Sequence, residues 1–280
     1  MQLQKFDIPG PGGQTLSAFL DLPADGKPIA YALFAHCFTC SKDLKAIYHI
    51  SHTLTRERIG VLRFDFTGLG ESGGNFADTS LLSNVEDLVA AAEFLSSRFE
   101  SPRLLIGHSF GGAAVLQAAA AIPSAKAVVT IAAPADPRHV SQSLGPATES
   151  IASRGEAEVN IAGRTFTLRK KFLDDLRQIE PEAVIQNLNR ALLVMHSPLD
   201  DVVGIENAAR IFQAARHPKS FVSLDQADHL LSNLADARYV GAVIAAWAKR
   251  YIATPSAEER ATPTGDTRIT ARTGRNGLLT

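Results

Sequence analysis

Apolar and polar residues alternate over the first stretch of the chain, and Gln4–Ile8 and Leu16–Leu22 read as two strands. Pro9-Gly10-Pro11-Gly12-Gly13 supplies the turn between them, so they form an antiparallel lead-in to a larger sheet. The pattern then changes. Ala30–Ala35 is apolar throughout, as a strand covered on both faces requires, and Val61–Phe66, Leu104–Ile106, Val128–Ala132 and Ala191–His196 are the further strands expected. Helical segments fall between them at Leu44–Glu57, Ser83–Phe99 and the Ala-rich run from Ala113 to Ile122. Strand then helix at short intervals predicts an α/β fold, a mostly parallel sheet with helices on both faces.

Between Pro134 and about Asn189 the periodicity departs from this scheme. Glu158–Ile161 and Arg164–Leu168 form a small hairpin around Ala162-Gly163, and a charged helix runs from Lys170 to Ile179. Lying between two sheet strands, residues 134–189 are expected to form a cap over the site. Their basic residues are interleaved with Glu156, Glu158, Asp174 and Asp175, which predicts a solvated mixed surface rather than an anion site. The core resumes at Ala191, continues through a helix at Gly204–Ala215 and a strand at Lys219–Leu224, and closes with a helix at Asp236–Ile252. One domain over residues 1–252 is therefore expected. Residues 253–280 have linker composition and should be dispensable; their last stretch, Ile269–Thr280, alternates like an opening strand.

Composition narrows the partners. With 28 Lys+Arg against 29 Asp+Glu, the net charge of -1 offers nothing to nucleic acid or an anionic membrane. No apolar run reaches the length of a membrane span, and Met1–Asp7 lacks the apolar core of a signal peptide. Two cysteines cannot build a disulfide scaffold, which points to a reducing cytoplasm. No His or carboxylate pair at helical ligand spacing stands beside a third, so no metal is expected, and no cofactor motif stands out. Thr67–Gly74 is Gly-rich but lacks the Lys-Ser/Thr of a phosphate loop; it reads as a structural turn holding Asp65 and Ser72.

The chemistry centres on Gly107-His108-Ser109-Phe110-Gly111, set between an apolar strand and a helical run. In that context Gly-x-Ser-x-Gly makes a nucleophile elbow, a strained turn that lifts the serine above the sheet. The plainer alternative is a tight turn in which Ser109 only caps a helix. A serine needs a base and an orienting acid. His229, just past the final strand, is the expected base, and Asp200, past the preceding strand, the expected acid. Asp201 and Asp136 are the rivals for the acid, and Asp228 is too close in sequence to its neighbour to serve. The N–H groups of Phe110 and Phe38 are the expected oxyanion donors, with Cys37 or Thr39 replacing Phe38 if the register differs. His36, His108 and His196 are expected to bond loop backbone. Ser41 is expected to cap the helix after Cys37-Phe38-Thr39-Cys40, leaving both cysteines as a reduced, unreactive structural pair.

Gly107–Gly111, Arg63–Ser72, Asp200 and His229, in the order Ser…Asp…His, together resemble the α/β-hydrolase superfamily over residues 1–252. The His36–Asp43 stretch and the hairpin cap are similar to the narrower group of bacterial hydrolase domains fused ahead of an OsmC-like domain. The tail from Ile269 resembles the opening strand of that second domain. This chain departs from the superfamily in carrying Cys37 where His-Gly-x is usual, and it lacks the peroxide-reducing cysteines of an OsmC-like domain. The resemblance implies a serine hydrolase acting on small carboxylic esters or thioesters. A peptidase or acyltransferase with the same triad, and a redox or partner-docking module with an idle triad, are the alternatives.

Overall fold

The computed structural model describes residues 1–253 except 139, 142, 143 and 162. The expected tail features beyond 253 therefore lie outside the described residues, as does Ala162 of the hairpin turn.

In chain order the sheet strands are β1 (Gln2–Pro9), β2 (Thr15–Leu22), β3 (Ala30–Ala35), β4 (Ile59–Phe64), β5 (Leu104–His108), β6 (Ala127–Ile131), β9 (Ala191–His196) and β10 (Lys219–Ser223). They lie side by side as β1-β2-β4-β3-β5-β6-β9-β10. β1 pairs antiparallel with β2, and β2 with β4; every later pairing is parallel. A separate antiparallel pair, β7 (Glu156–Ile161) and β8 (Arg164–Arg169), arises from the stretch between β6 and β9.

The apolar runs bury both faces of the sheet. Along β3, Ala30, Ala32 and Phe34 join one core and Tyr31, Leu33 and Ala35 the other, the period of two that a strand imposes. Helices α1 (Lys45–Arg56) and α8 (Leu234–Ile252) cover the first core. Helices α2 (Leu81–Arg98), α3 (Phe110–Ala118) and α7 (Glu206–Ala214) cover the second. Three short helices, α4 (Ala147–Arg154), α5 (Lys170–Arg177) and α6 (Pro181–Gln186), lie with the β7–β8 hairpin in the inserted stretch and pack on that second core.

Several boundaries differ from the sequence reading. β4 begins and ends two residues early, because Ile59 and Gly60 pair with Ala30 and Tyr31. α2 starts at Leu81, before Ser83, because the Ser80 hydroxyl and the Ser83 hydroxyl each accept the other residue's backbone N–H in a reciprocal cap. Ser41 caps nothing: α1 begins only at Lys45 after Leu44, with no side-chain cap. A backbone bond from Leu44 N–H to Ser41 O makes a separate turn there. Among the described residues no helix is long and apolar enough to cross a membrane.

Candidate active site

The site forms where β3, β5, β9 and β10 end. At the β5–α3 junction Ser109 has φ 54° and ψ -124°, a left-handed backbone that ordinary side chains avoid, and its N–H is held by Ile131 O at 2.8 Å. Two glycines make this turn possible. A Cβ on Gly107 would lie 2.2 Å from Gly111 O, and one on Gly111 would lie 2.4 Å from His36 O. The second approach also presses the turn against the loop that follows β3.

Ser109 Oγ lies 3.0 Å from His229 Nε2, and His229 Nδ1 lies 2.8 Å from Asp200 Oδ2 and 3.0 Å from Oδ1. A carboxylate only accepts, so Nδ1 carries the proton and Nε2 is left to accept from the serine hydroxyl. Asp200 Oδ1 also accepts the N–H groups of Val202 and Val203 at 2.9 and 2.8 Å. Burial pushes the Asp200 carboxyl up, but the His229 bond and these two N–H groups outweigh it and hold the group below the usual carboxylate range.

The rivals stand elsewhere. Asp136 is paired with Arg138 at 2.7 Å, Asp228 accepts Ser232 N–H, and Asp201 is exposed. Three other histidines bond backbone. His36 Nδ1–H donates to Cys37 O at 2.7 Å while its Nε2 accepts Phe66 N–H at 3.1 Å, and His196 Nε2–H donates to Val203 O. His108 Nε2–H donates to the backbone oxygen of His229 at 2.7 Å, which steadies that loop.

Burial, reinforced by the nearby His229, pushes His108 down to about 4 from an ordinary value of 6.5. Unfolding restores the ordinary value, so between about pH 6.5 and 4 the unfolded chain binds more protons than the folded one. Stability is full above this window and falls as pH drops through it, by about 3 kcal/mol for a shift of this size. Urea melts at pH 7 and 4.5 should show that loss in wild type and a smaller one in His108→Gln. Equal losses in both would contradict the assignment.

The loop after β3 is anchored at both ends. His36 holds Cys37 O, and at the other end Lys42 donates its N–H to Asp65 Oδ1 at 2.6 Å and its Nζ to Asp65 Oδ2 at 2.7 Å. Asp65 also accepts Glu71 N–H, and Ser72 Oγ donates to Asp65 O, so the Gly-rich stretch is the structural turn its composition predicts. The Phe38 ring packs on Phe110 at 4.8 Å and Phe172 at 5.3 Å, and Arg164 donates to Thr39 O at 3.0 Å. The inserted stretch thus reaches both the elbow and the loop facing it. Sequence inspection missed Lys42 and Arg164, because a partner 23 or 125 residues away leaves no local signal.

Cys37 and Cys40 are not reduced thiols; they form a disulfide. Cys40 N–H donates to Cys37 O at 3.2 Å, closing a turn that brings the two Cα atoms to 5.3 Å, within disulfide reach. The pair belongs to that turn, and α1 starts beyond it. Sequence spacing alone left both the turn and the helix start open.

A mostly parallel sheet flanked by helices, with a serine on a strained strand-to-helix turn and Asp and His on later strand ends, defines the α/β-hydrolase fold class. The chain belongs to the alpha/beta hydrolase family, which it matches over residues 32–253. It is similar to the esterase domain of a Rhodothermus marinus protein, at 55% identity over 90% of this chain and 100% of that one, with a TM-score of 0.76. It shares its fold with Est1E of Butyrivibrio proteoclasticus, whose structure holds ferulic acid, at 21% identity, 90% and 100% coverage and a TM-score of 0.77. It is also 24% identical over 208 residues to the uncharacterized protein YfhR of Salmonella typhi, covering 74% of this chain and 68% of that one.

Proposed function

We propose that the protein is a serine hydrolase that cleaves carboxylic esters or thioesters of small molecules through an acyl-enzyme on Ser109. The observation that carries this reading is the continuous chain from Ser109 Oγ through His229 to Asp200, with the serine on its strained turn. As Oγ attacks the carbonyl carbon, its proton passes to His229 Nε2. The C=O electrons move to oxygen, and the backbone N–H groups of Phe110 and Phe38 receive that charge. Phe110 opens α3, where N–H groups lack partners within the helix, and the approach of Gly111 to His36 O sets the Phe38 loop opposite. Collapse expels the alkoxide or thiolate, protonated by His229. Water then attacks the acyl-Ser109 with His229 again as base. The esterase domain at 55% identity supports an ester over an amide.

In this reading residues 134–189 form the cap, and the Phe172 and Arg164 contacts carry it to the acyl site. We place the enzyme in the cytoplasm, where a disulfide such as Cys37–Cys40 is usually transient rather than structural. We further propose an OsmC-like domain as its partner in a longer chain, on the resemblance of the His36–Asp43 stretch and the hairpin to hydrolase domains so fused. A protein cut after residue 253 should keep its melting temperature and ester turnover, since Ile252 already lies in the core; a fall of many degrees would refute this.

A fluorophosphonate tests the central proposal. One adduct should appear in the intact mass and map to the Ser109 peptide. An unlabelled wild type, or equal labelling of Ser109→Ala, would overturn it.

A further inference from the structure

We propose that Cys37–Cys40 is a thiol-exchange site whose oxidation state sets the rate of acyl transfer at Ser109. The inference rests on the reading of Phe38 as an oxyanion donor. The disulfide spans Phe38 and Thr39 and nothing else, so it brackets the residue whose N–H must point at the developing oxyanion. The loop is pinned at Cys37 O by His36 and at Lys42 by Asp65. Between those pins, Phe38–Ser41 is held by its own turn, by the Leu44 N–H bond to Ser41 O and by the packing of the Phe38 ring on Phe76, Phe110 and Phe172. Across it, the disulfide is the covalent restraint, alongside the weaker Cys40 N–H bond to Cys37 O and the bond from the exposed Arg164 to Thr39 O.

Cys37 is buried and Cys40 half-buried, so an incoming thiolate meets Cys40 Sγ first. We take the reductant to be a small dithiol. Its thiolate attacks Cys40 Sγ, the Cys37–Cys40 bond breaks, and the Cys37 thiolate leaves and takes a proton from water. The second thiol of the reductant then attacks the mixed disulfide, releases Cys40 as a thiol, and closes the reductant into its own disulfide. Two electrons and two protons pass to the protein. The freed turn loosens Phe38, and the donor is held less well where charge develops. Deleting such a donor outright lowers kcat by about 10²–10³-fold. The remaining bonds keep the loop partly in place, so a smaller loss, on the order of tenfold, is expected. It should fall on kcat and spare KM, because the contact strengthens only in the transition state.

The full chain is reduced with dithiothreitol, freed of it by anaerobic gel filtration, and counted for thiols. Its kcat and KM on a p-nitrophenyl ester are compared with those of the oxidised protein, then measured again after oxidised glutathione. Expected are two thiols on reduction, a tenfold lower kcat with KM within about twofold, and recovery on reoxidation. Cys40→Ser should sit at the reduced rate and ignore dithiothreitol. A native disulfide that resists the dithiol, or equal kcat in both states, would overturn the inference. Fluorophosphonate labelling separates the two readings. Equal labelling of Ser109 in both states with equal turnover sinks only the redox inference, whereas no labelling in either state sinks the hydrolase reading beneath it.

Discussion

Replacing Ser109 with alanine will lower kcat for a p-nitrophenyl ester about 10⁶-fold, the loss typical of removing the nucleophile from a serine triad. The size follows from the geometry. His229 Nε2 has a proton to accept only because Oγ stands 3.0 Å away, and Asp200 orients an imidazole that then has no partner. The residual rate above water will come from the oxyanion donors and from binding, so KM should change little. The fold should tolerate the change. Ser109 is held through its backbone N–H to Ile131 O, which alanine keeps, although a positive φ suits alanine no better than serine. Matched melting curves with a millionfold activity gap would establish the serine as the reacting group. A loss below about tenfold would refute it and favour the reading in which Ser109 only starts a helix.

The second large effect is expected at the acid. Asp200→Asn should lower kcat about 10⁴-fold and leave the fold intact. The amide that replaces the carboxylate can still present its oxygen to the N–H groups of Val202 and Val203, which keeps the loop in place. Its NH2 would then face His229 Nδ1. A donor there forces Nδ1 to become the acceptor and moves the ring proton to Nε2, where it can no longer take the proton of Ser109. Asp201→Asn and Asp136→Asn should alter kcat by less than a few-fold, since the first is exposed and the second is paired with Arg138. A crippled Asp136→Asn with an active Asp200→Asn would move the acid to the end of β6.

Much of the fold could be read from local pattern. The runs at Ala30–Ala35 and Ala191–His196 appear as strands with the bounds their composition predicts. Both faces of a central parallel strand are buried, so such a strand reads as a near-continuous apolar run, and that demand is visible in the chain itself. Helix ends were harder to place. α2 starts at Leu81 because Ser80 and Ser83 cap each other, and the Ser80 hydroxyl also donates to Asp175, 95 residues away, a partner no local pattern shows. Short helices such as α4 and α6 left no clear period, being one or two turns long and stabilised by packing on the second core.

The site divides in the same way. Sequence by itself determined the elbow, because the steric demand for glycine at 107 and 111 is local, and the chain order Ser…Asp…His narrows the partners to a few residues. Tertiary structure alone decided which carboxylate meets His229, since Asp200 and Asp201 are adjacent and only the path of the loop after β9 turns one inward. It decided the state of the cysteines too, because a Cys-x-x-Cys pair is a helix start in one backbone and a closed turn in another. The contacts of Lys42 with Asp65 and of Arg164 with Thr39 belong to the same class. Steric rules within a turn act over a few bonds and leave a pattern in the sequence. Hydrogen bonds and disulfide closure depend on distances in space, which only the folded chain sets.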